Sequence, residues 1–320
     1  MPVSRNFKIE EIIPQDMRLD RYVSEFLRLF SRSQIKARNL KAKINGKDVK
    51  LSRIVKQGDM LDLIWDDAQP FHIIPEDIPL DIIREDDRCI VINKAQGMVV
   101  HPGAGNRRGT LANALYFRML NKLSETPPCG KIEDSPGETN WRAGIVHRLD
   151  KETSGVIIAA YDDEAHAFLS RQFKDRKVKK KYMAIVCGKP NEIKGRIETF
   201  IARDARDRKR FAVAPRGKYA ITFYKVIKSW KNYSLVSLRP GTGRTHQLRV
   251  HLKFMGHPIL GDPVYGYSDK NFPCAGLMLH SKSLAITLPG ETQESIFSSS
   301  MPERFLKIIE KLDRTEGAHG

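Results

Sequence analysis

Six short apolar runs, at 89–93, 156–160, 182–187, 221–227, 235–238 and 277–287, limit what this chain can fold into. Each has the length and residue types of a strand. Helical patterns lie between or beside them at 110–121, 163–175 and 245–256. The last of these has Thr245 near its start and Leu248, Leu252 and Met255 on one face. Lys231-Asn232 would turn a hairpin between two of the strands. Residues 81–312 therefore predict a single α+β domain, with 313–320 as a tail. The stretch 122–142, rich in Pro, Gly and acids, reads as a loop insertion. Residues 66–80 carry three prolines and several acids and read as an extended linker.

Residues 1–65 predict a small α/β unit of their own. Leu19, Tyr22, Val23, Phe26, Leu27 and Phe30 form one stripe at helical spacing. Ser31 or Ser33 would cap a second short helix carrying Ile35 and Leu40. Asn45-Gly46 signals a tight turn, and Leu61, Leu63 and Trp65 alternate as in a strand.

Charge narrows the partner. The chain of 320 residues has 55 Lys and Arg against 38 Asp and Glu, a formal net charge of +17. Such an excess favours a polyanion, through phosphate contacts and counterion release. Its distribution matters more than its size. Arg28, Arg32, Lys36, Arg38, Lys41, Lys43, Lys47, Lys50, Arg53 and Lys56 fall in one short segment where Asp48 is the only acid. A solvated helix face mixes both signs, so this segment, and Arg28, Arg32, Lys36, Arg38, Lys41 and Lys43 within it, predicts an RNA-binding face.

Other classes are disfavoured. Cys89, Cys129, Cys187 and Cys274 form no CxxC pair, which argues against a zinc cluster or a disulfide framework. His246 and His251 are five apart, the wrong step for two ligands on one helix face. No metal or cofactor is expected. No apolar run has the length of a membrane span, and the opening residues lack the apolar core of a secretory signal. A cytoplasmic protein is the expectation. The sequence carries no signal for an oligomeric state.

Three segments carry chemistry. GIVHRLDKETSG (144–155) places His147, Arg148 and Asp150 in a break between two apolar runs, where a carboxylate can act as nucleophile or general base. A loop aspartate capping a turn fits the same segment. The kinase catalytic triplet does not, because Leu149 interrupts it and no glycine-rich phosphate loop precedes it. GRTHQLRVH (243–251) gathers Arg244, His246, Gln247 and Arg249 where a turn enters a helix. Arg249, beside Leu248, is expected to project off the packed face and, by meeting Asp150, to hold it ionised. KKKY (179–182) sets Tyr182 at the start of a strand behind a lysine cluster.

Together with HPILGDPVYG (257–266), these segments occur in the order found in the RluA family of pseudouridine synthases, which residues 80–300 resemble. VVHPGAGN followed by RAGIVHRLD looks closest to the RluD-like branch, the large-ribosomal-subunit synthases D. Residues 17–65, with RLDRYVSEFL, SRSQIKARNL and INGKDV, resemble the S4-like RNA-binding module. The resemblance implies a mixed, mainly antiparallel sheet with an RNA cleft. It implies an isomerase that converts uridine to pseudouridine without a cofactor, with Asp150, Tyr182 and Arg249 catalytic. Asp150 would be the essential carboxylate, attacking the sugar or abstracting a ribose proton. Tyr182 would stack on the base and help remove the proton from its carbon 5. Arg148 would fill the space of the flipped nucleotide, with His147, Arg244, His246 and Gln247 also touching substrate. Clusters at 171–181 and 203–218 would border the cleft. The implied partner is 23S rRNA or a large-subunit precursor particle. The same chemistry on tRNA, or a non-catalytic ribosome-assembly factor built from the same parts, are the alternatives.

Overall fold

The structure, a computed structural model, describes residues 2–30, 35, 38–66, 73–103, 105–125, 144–204, 206–207 and 210–316. Arg32, Lys36, Cys129, most of the expected second helix, part of the expected linker and most of the 122–142 insertion lie outside the described residues.

The chain divides into two compact units. The first holds a four-stranded antiparallel sheet, β1 (Pro2–Lys8), β2 (Lys41–Ile44), β3 (Lys47–Val49) and β4 (Met60–Asp66), in the order β1-β4-β2-β3, with helix α1 (Leu19–Glu25). Strand alternation turns Ala42, Ile44, Leu61, Leu63 and Trp65 inward onto Leu19, Tyr22 and Val23. It leaves Lys41 exposed and gives Lys43 two acidic cross-strand neighbours, Asp48 and Asp62. Helix α1 ends at Glu25, short of the expected stripe. Arg28 adopts φ 50°, a left-handed conformation that a helix cannot continue through. Phe30 instead meets Trp65 edge-on at 5.1 Å, and the Arg38 guanidinium lies 4.9 Å over the Phe30 ring.

The second unit is built on a ten-stranded sheet. Its strands are β5 (Ile82–Glu85), β6 (Cys89–Lys94), β7 (Ser154–Ala160), β8 (Lys179–Cys187), β9 (Lys194–Arg203), β10 (Phe211–Val213), β11 (Lys218–Ser229), β12 (Tyr233–Pro240), β13 (Leu279–Thr287) and β14 (Glu294–Ser298). The order is β10-β9-β11-β12-β8-β13-β7-β6-β5, with β14 also on β13. Every pairing is antiparallel except β7 with β13. Four helices pack on it: α2 (Leu111–Glu125), α3 (Asp163–Lys174), α4 (Gln247–Phe254) and α5 (Glu303–Glu316).

The continuous apolar runs follow from burial on both faces. Ile90, Ile92 and Ile157 face Leu111 and Leu115 of α2 and belong to the same core as Phe305 and Leu312 of α5. Cys89, Val91, Val156 and Ile158, one residue out of phase, pack with Ala165 and Leu169 of α3. The expected tail is corrected: α5 runs to Glu316, and Asp313 accepts hydrogen bonds from Trp230 Nε1 at 2.7 Å and Lys228 Nζ at 2.8 Å. The described end of the expected linker is not free either. Ile73 is buried against Ala112, and Asn113 Nδ2 donates to the Ile74 carbonyl at 2.7 Å.

Two fully buried histidines sit in this core. His251 is hydrogen bonded to the Thr222 and Thr199 hydroxyls at 2.9 and 3.0 Å, and His280 to those of Ser154 and Ser299, both at 2.9 Å. Burial pushes each imidazole down to about 4. The unfolded chain takes up protons that these sites refuse, so stability is lost as pH falls below about 6.5. Each site contributes a loss on the order of 2 kcal/mol between pH 7 and pH 5. Calorimetry at the two pH values should show a clearly lower Tm at pH 5; equal values would mean that the two rings charge without cost.

Candidate active site

The segment around Asp150 is fixed by the one parallel junction of the sheet. Ser154 and Gly155 open β7 opposite His280 and Ser281 of β13. Gly155 has φ 110°, and a Cβ there would lie 2.2 Å from the Ser281 carbonyl oxygen, so only glycine lets the strands meet. Just before it, the Thr153 N–H donates to the Asp150 carbonyl at 3.0 Å, closing a turn. Lys94, fully buried, pins the other side: its ammonium donates to the carbonyls of Ala95, Met98 and Lys151 at 2.8, 2.9 and 3.2 Å. Burial pulls its pKa down to about 8.

Asp150 thus stands at the mouth of a turn with its carboxylate toward α4. Arg249 Nη1 donates to Asp150 Oδ2 at 3.3 Å. One expectation is corrected here: Arg249 does not project off the packed face but is 4% exposed. The whole of α4 from Gln247 to Leu252 is buried. Its main partner is Asp262, which the sequence reading left out. Arg249 Nε and Nη2 donate to the two Asp262 oxygens at 2.8 and 2.7 Å, a two-pronged pair. Burial opposes the charge on both groups, but the pair outweighs it. The Arg249 pKa is raised and the Asp262 pKa lowered. Asp262 also accepts the amides of Val264 and Tyr265 at 2.9 and 3.0 Å. Gly261, at φ 71° and tight against the Gly276 carbonyl, gives the chain the turn that delivers it.

His246 caps α4 at φ 55°, with Nε2 3.9 Å from Asp150 Oδ2 and Nδ1 hydrogen bonded to the Tyr265 hydroxyl at 2.8 Å. Burial lowers its pKa, and Asp150 works in the opposite direction. Tyr182, 9% exposed, lines the same cavity; burial pushes its phenol up to about 12, with Asp150 adding to the effect.

His147 and Gln247 both line the cavity, and each is also tied to the scaffold. Gln247 is buried and saturated: its oxygen accepts from Thr242 Oγ1 and the Arg244 amide, and its nitrogen donates to the Ile221 carbonyl and Thr222 Oγ1. No donor or acceptor of that side chain is left for a ligand. His147 Nε2 accepts the Ile158 amide at 3.1 Å while its ring stacks on Phe173 at 4.4 Å, and burial pushes it down to about 3. Arg148 is exposed on the cavity wall, and Arg244 Nε donates to the Tyr219 carbonyl at 2.9 Å.

The cavity measures about 860 Å³. Arg148, Lys174, Arg176, Lys179, Lys180, Arg239, Arg244 and Arg249 line it, with Asp150 as the single carboxylate among the described residues. The expected basic border from 171–181 is present in Lys174, Arg176, Lys179 and Lys180. None of the described residues of 203–218 lines the cavity itself; Phe211 lies edge-on to the ring of cavity-lining His246 at 5.9 Å.

Residues 88–254 match the family model for RNA pseudouridylate synthase. A "Ribosomal large subunit pseudouridine synthase D" of Borreliella burgdorferi is 41% identical, over 98% of this chain and 94% of its own. A protein of the same name from Zymomonas mobilis is 37% identical over 98% of each chain. Among solved structures, human RNA pseudouridylate synthase domain containing 4 superposes with a TM-score of 0.57 at 25% identity, covering 75% of this chain and 94% of that one. The chain belongs to the RNA pseudouridine synthase family.

A pseudouridine synthase isomerises uridine within RNA: the bond from ribose carbon 1 to base nitrogen 1 breaks, the base turns, and carbon 5 takes the bond. No atom is gained or lost. A carboxylate beside a buried arginine, in a cleft whose charged lining is otherwise cationic among the described residues, suits a reaction on one nucleotide of a polyanion. The pocket has room for a base extruded from its stack.

Proposed function

We propose that Asp150 is the catalytic carboxylate, that Arg249 orients it, and that the substrate is the 23S RNA of the large ribosomal subunit. The observation that carries this reading is the Arg249 bridge between buried Asp262 and half-exposed Asp150. Asp262 fixes the guanidinium, and its remaining nitrogen aims Asp150 into the cavity. Asp150 attacks ribose carbon 1 or removes a ribose proton; either opens the glycosidic bond. Arg148 takes the place of the extruded nucleotide. Arg244 and His246 contact the substrate from the α4 side. The relatives named for the large ribosomal subunit favour rRNA over tRNA, and the intact Asp150–Arg249 pair argues against a non-catalytic assembly factor. No helix among the described residues is long and apolar enough to cross a membrane. A cytoplasmic enzyme is the reading that agrees with ribosomal RNA as substrate. Mapping pseudouridine in total RNA with and without the gene tests the substrate: loss at 23S positions is expected, and loss confined to tRNA would overturn it.

Tyr182 stacks on the target base and keeps its proton. A phenol pushed up to about 12 is neutral throughout the working range. Were its phenolate the base that removes the carbon-5 proton, the rate would climb about tenfold per pH unit. Single-turnover rates between pH 7 and 9 should show no such climb; a slope of one would make the phenolate the base.

The N-terminal unit grips phosphates through Arg28, Arg38, Lys41 and Lys43 together with Arg32 and Lys36. Deleting residues 1–68 should weaken RNA binding and flatten its salt dependence while conversion at saturating RNA persists. Three or four lost phosphate contacts lower the slope of log affinity against log salt by about three units. An unchanged slope in a binding titration would remove this unit from RNA recognition.

A further inference from the structure

The outer half of the large sheet, β9 and β11, is covered on one face only. Ile197, Ile201, Ala220 and Thr222 turn inward and are buried, most of them beneath α4. The opposite face is bare, and it is not the polar surface that strand alternation normally leaves to solvent. Phe200, Tyr219 and Phe223 stand on it at 45%, 36% and 43% exposure. Register places them together: Tyr219 pairs with Phe200, and Phe223 lies between Arg196 of β9 and Arg239 of β12. The rings of Phe200 and Tyr219 meet edge-on at 6.1 Å. Lys194 and Lys225 pair one step further along the same face. Lys194, Lys225 and Arg239 are exposed and form no ion pair among the described residues; Glu198 is the one acid in the group, 3.6 Å from Arg196 and bonded to the Tyr219 hydroxyl. Gly241 keeps the surface bare, since a Cβ there would meet Ile221 at 2.9 Å and the Phe223 ring at 3.8 Å.

This face runs into the catalytic cavity. Phe223 and Arg239 line both, and Arg244 on the cavity rim is tied to the Tyr219 carbonyl. Four residues of strand separate Phe223 from Tyr219, roughly 13 Å at the rise of an extended strand. Exposed aromatic rings set among unpaired cations on an open sheet match one chemistry well: bases stack on the rings and phosphates meet the cations. Paired RNA hides its base faces and cannot use such rings.

We propose that the bare face of β9 and β11 is a stacking platform for unpaired nucleotides that adjoin the target uridine. Phe223 takes the base nearest the cavity and the Phe200–Tyr219 pair takes one further out. This rests on the reading of the cavity as the uridine site.

The test is fluorescence anisotropy with two probes at one salt concentration, an unpaired oligoribonucleotide of about a dozen residues and a blunt RNA duplex of equal length. Phe200→Ala/Tyr219→Ala should bind the unpaired probe about tenfold more weakly or worse, from the stacking lost per base, and the duplex within threefold of wild type. Tyr219→Phe, which keeps the ring, should bind as wild type. A Tm of the double variant close to wild type confirms folding. If it melts early, Phe200→Leu/Tyr219→Leu, which keeps apolar bulk without a ring, is measured instead. Unchanged affinity for the unpaired probe overturns the platform and leaves the face to a protein partner; equal weakening of both probes overturns it as well. Failure of the wild-type enzyme to convert uridine in any RNA would instead overturn the cavity reading, and the binding comparison would still decide the platform.

Discussion

Asp150→Asn should abolish turnover while leaving RNA affinity within about threefold of wild type. The substitution is isosteric, and the amide oxygen can still accept from Arg249 Nη1, so the turn closed by the Thr153 amide and the strand junction at Gly155 stay as they are. What disappears is the anion. An amide neither attacks a ribose carbon nor takes up a proton at neutral pH, and loss of a group that carries the chemistry costs on the order of 10⁴-fold or more in rate. Affinity has a different origin. Eight cations line the cavity, and phosphate contacts of that kind supply most of the binding free energy. Tritium released from carbon-5-labelled uridine in rRNA fragments, measured under single-turnover conditions beside a filter-binding titration, separates the two quantities. A variant within tenfold of the wild-type rate would remove Asp150 from the chemistry.

What could be read from the sequence divides along physical lines. The buried strands β6, β7 and β8 were legible because both of their faces are covered, so their composition is uniformly apolar. Strand β9 was not. Its inward positions include Thr199, which serves His251, and its outward positions include Phe200, so the alternation is inverted at the points where a reader looks for it. Strand β1 offers only Val3 and Phe7 with Arg5 between them on the same face. In the site, the HRLD, KKKY and GRTHQLR segments identified Asp150, Tyr182 and Arg249 as residues to examine, but not their surroundings. Helical spacing put Arg249 beside Leu248 and therefore outside; the structure buries both, because Asp262 arrives from another segment to neutralise the guanidinium. The scaffold bonds of Gln247 stayed hidden for a related reason. A polar side chain beside a catalytic residue looks like a ligand contact until its four hydrogen bonds to the scaffold are counted.

Asp262→Asn should harm the enzyme almost as severely as loss of Asp150, although Asp262 is fully buried and touches no substrate. The wild-type pair is two-pronged and inaccessible to water, so the substitution leaves the Arg249 charge buried against a neutral amide oxygen, with the 3.3 Å contact to Asp150 as its one remaining bond to an anion among the described residues. Breaking one partner of such a pair costs about 3–5 kcal/mol. Arg249 would then be drawn toward Asp150, the remaining anion, and the carboxylate would be held by a mobile cation instead of a fixed one. Both stability and turnover should fall. The second change distinguishes the two effects. Arg249→Met in the Asp262→Asn background removes the stranded charge, and an uncharged filling of a formerly ionic site is often as stable as the pair it replaces. The substituted amide would still accept the backbone N–H groups of Val264 and Tyr265, so the turn around Gly261 keeps its anchors. Thermal unfolding of the double variant should therefore return most of the way to wild type. Its single-turnover rate should not, because Asp150 then has no arginine to orient it. If activity returned together with stability, the Arg249–Asp262 pair would be a device of folding alone, and Asp150 would work without a cation at its side.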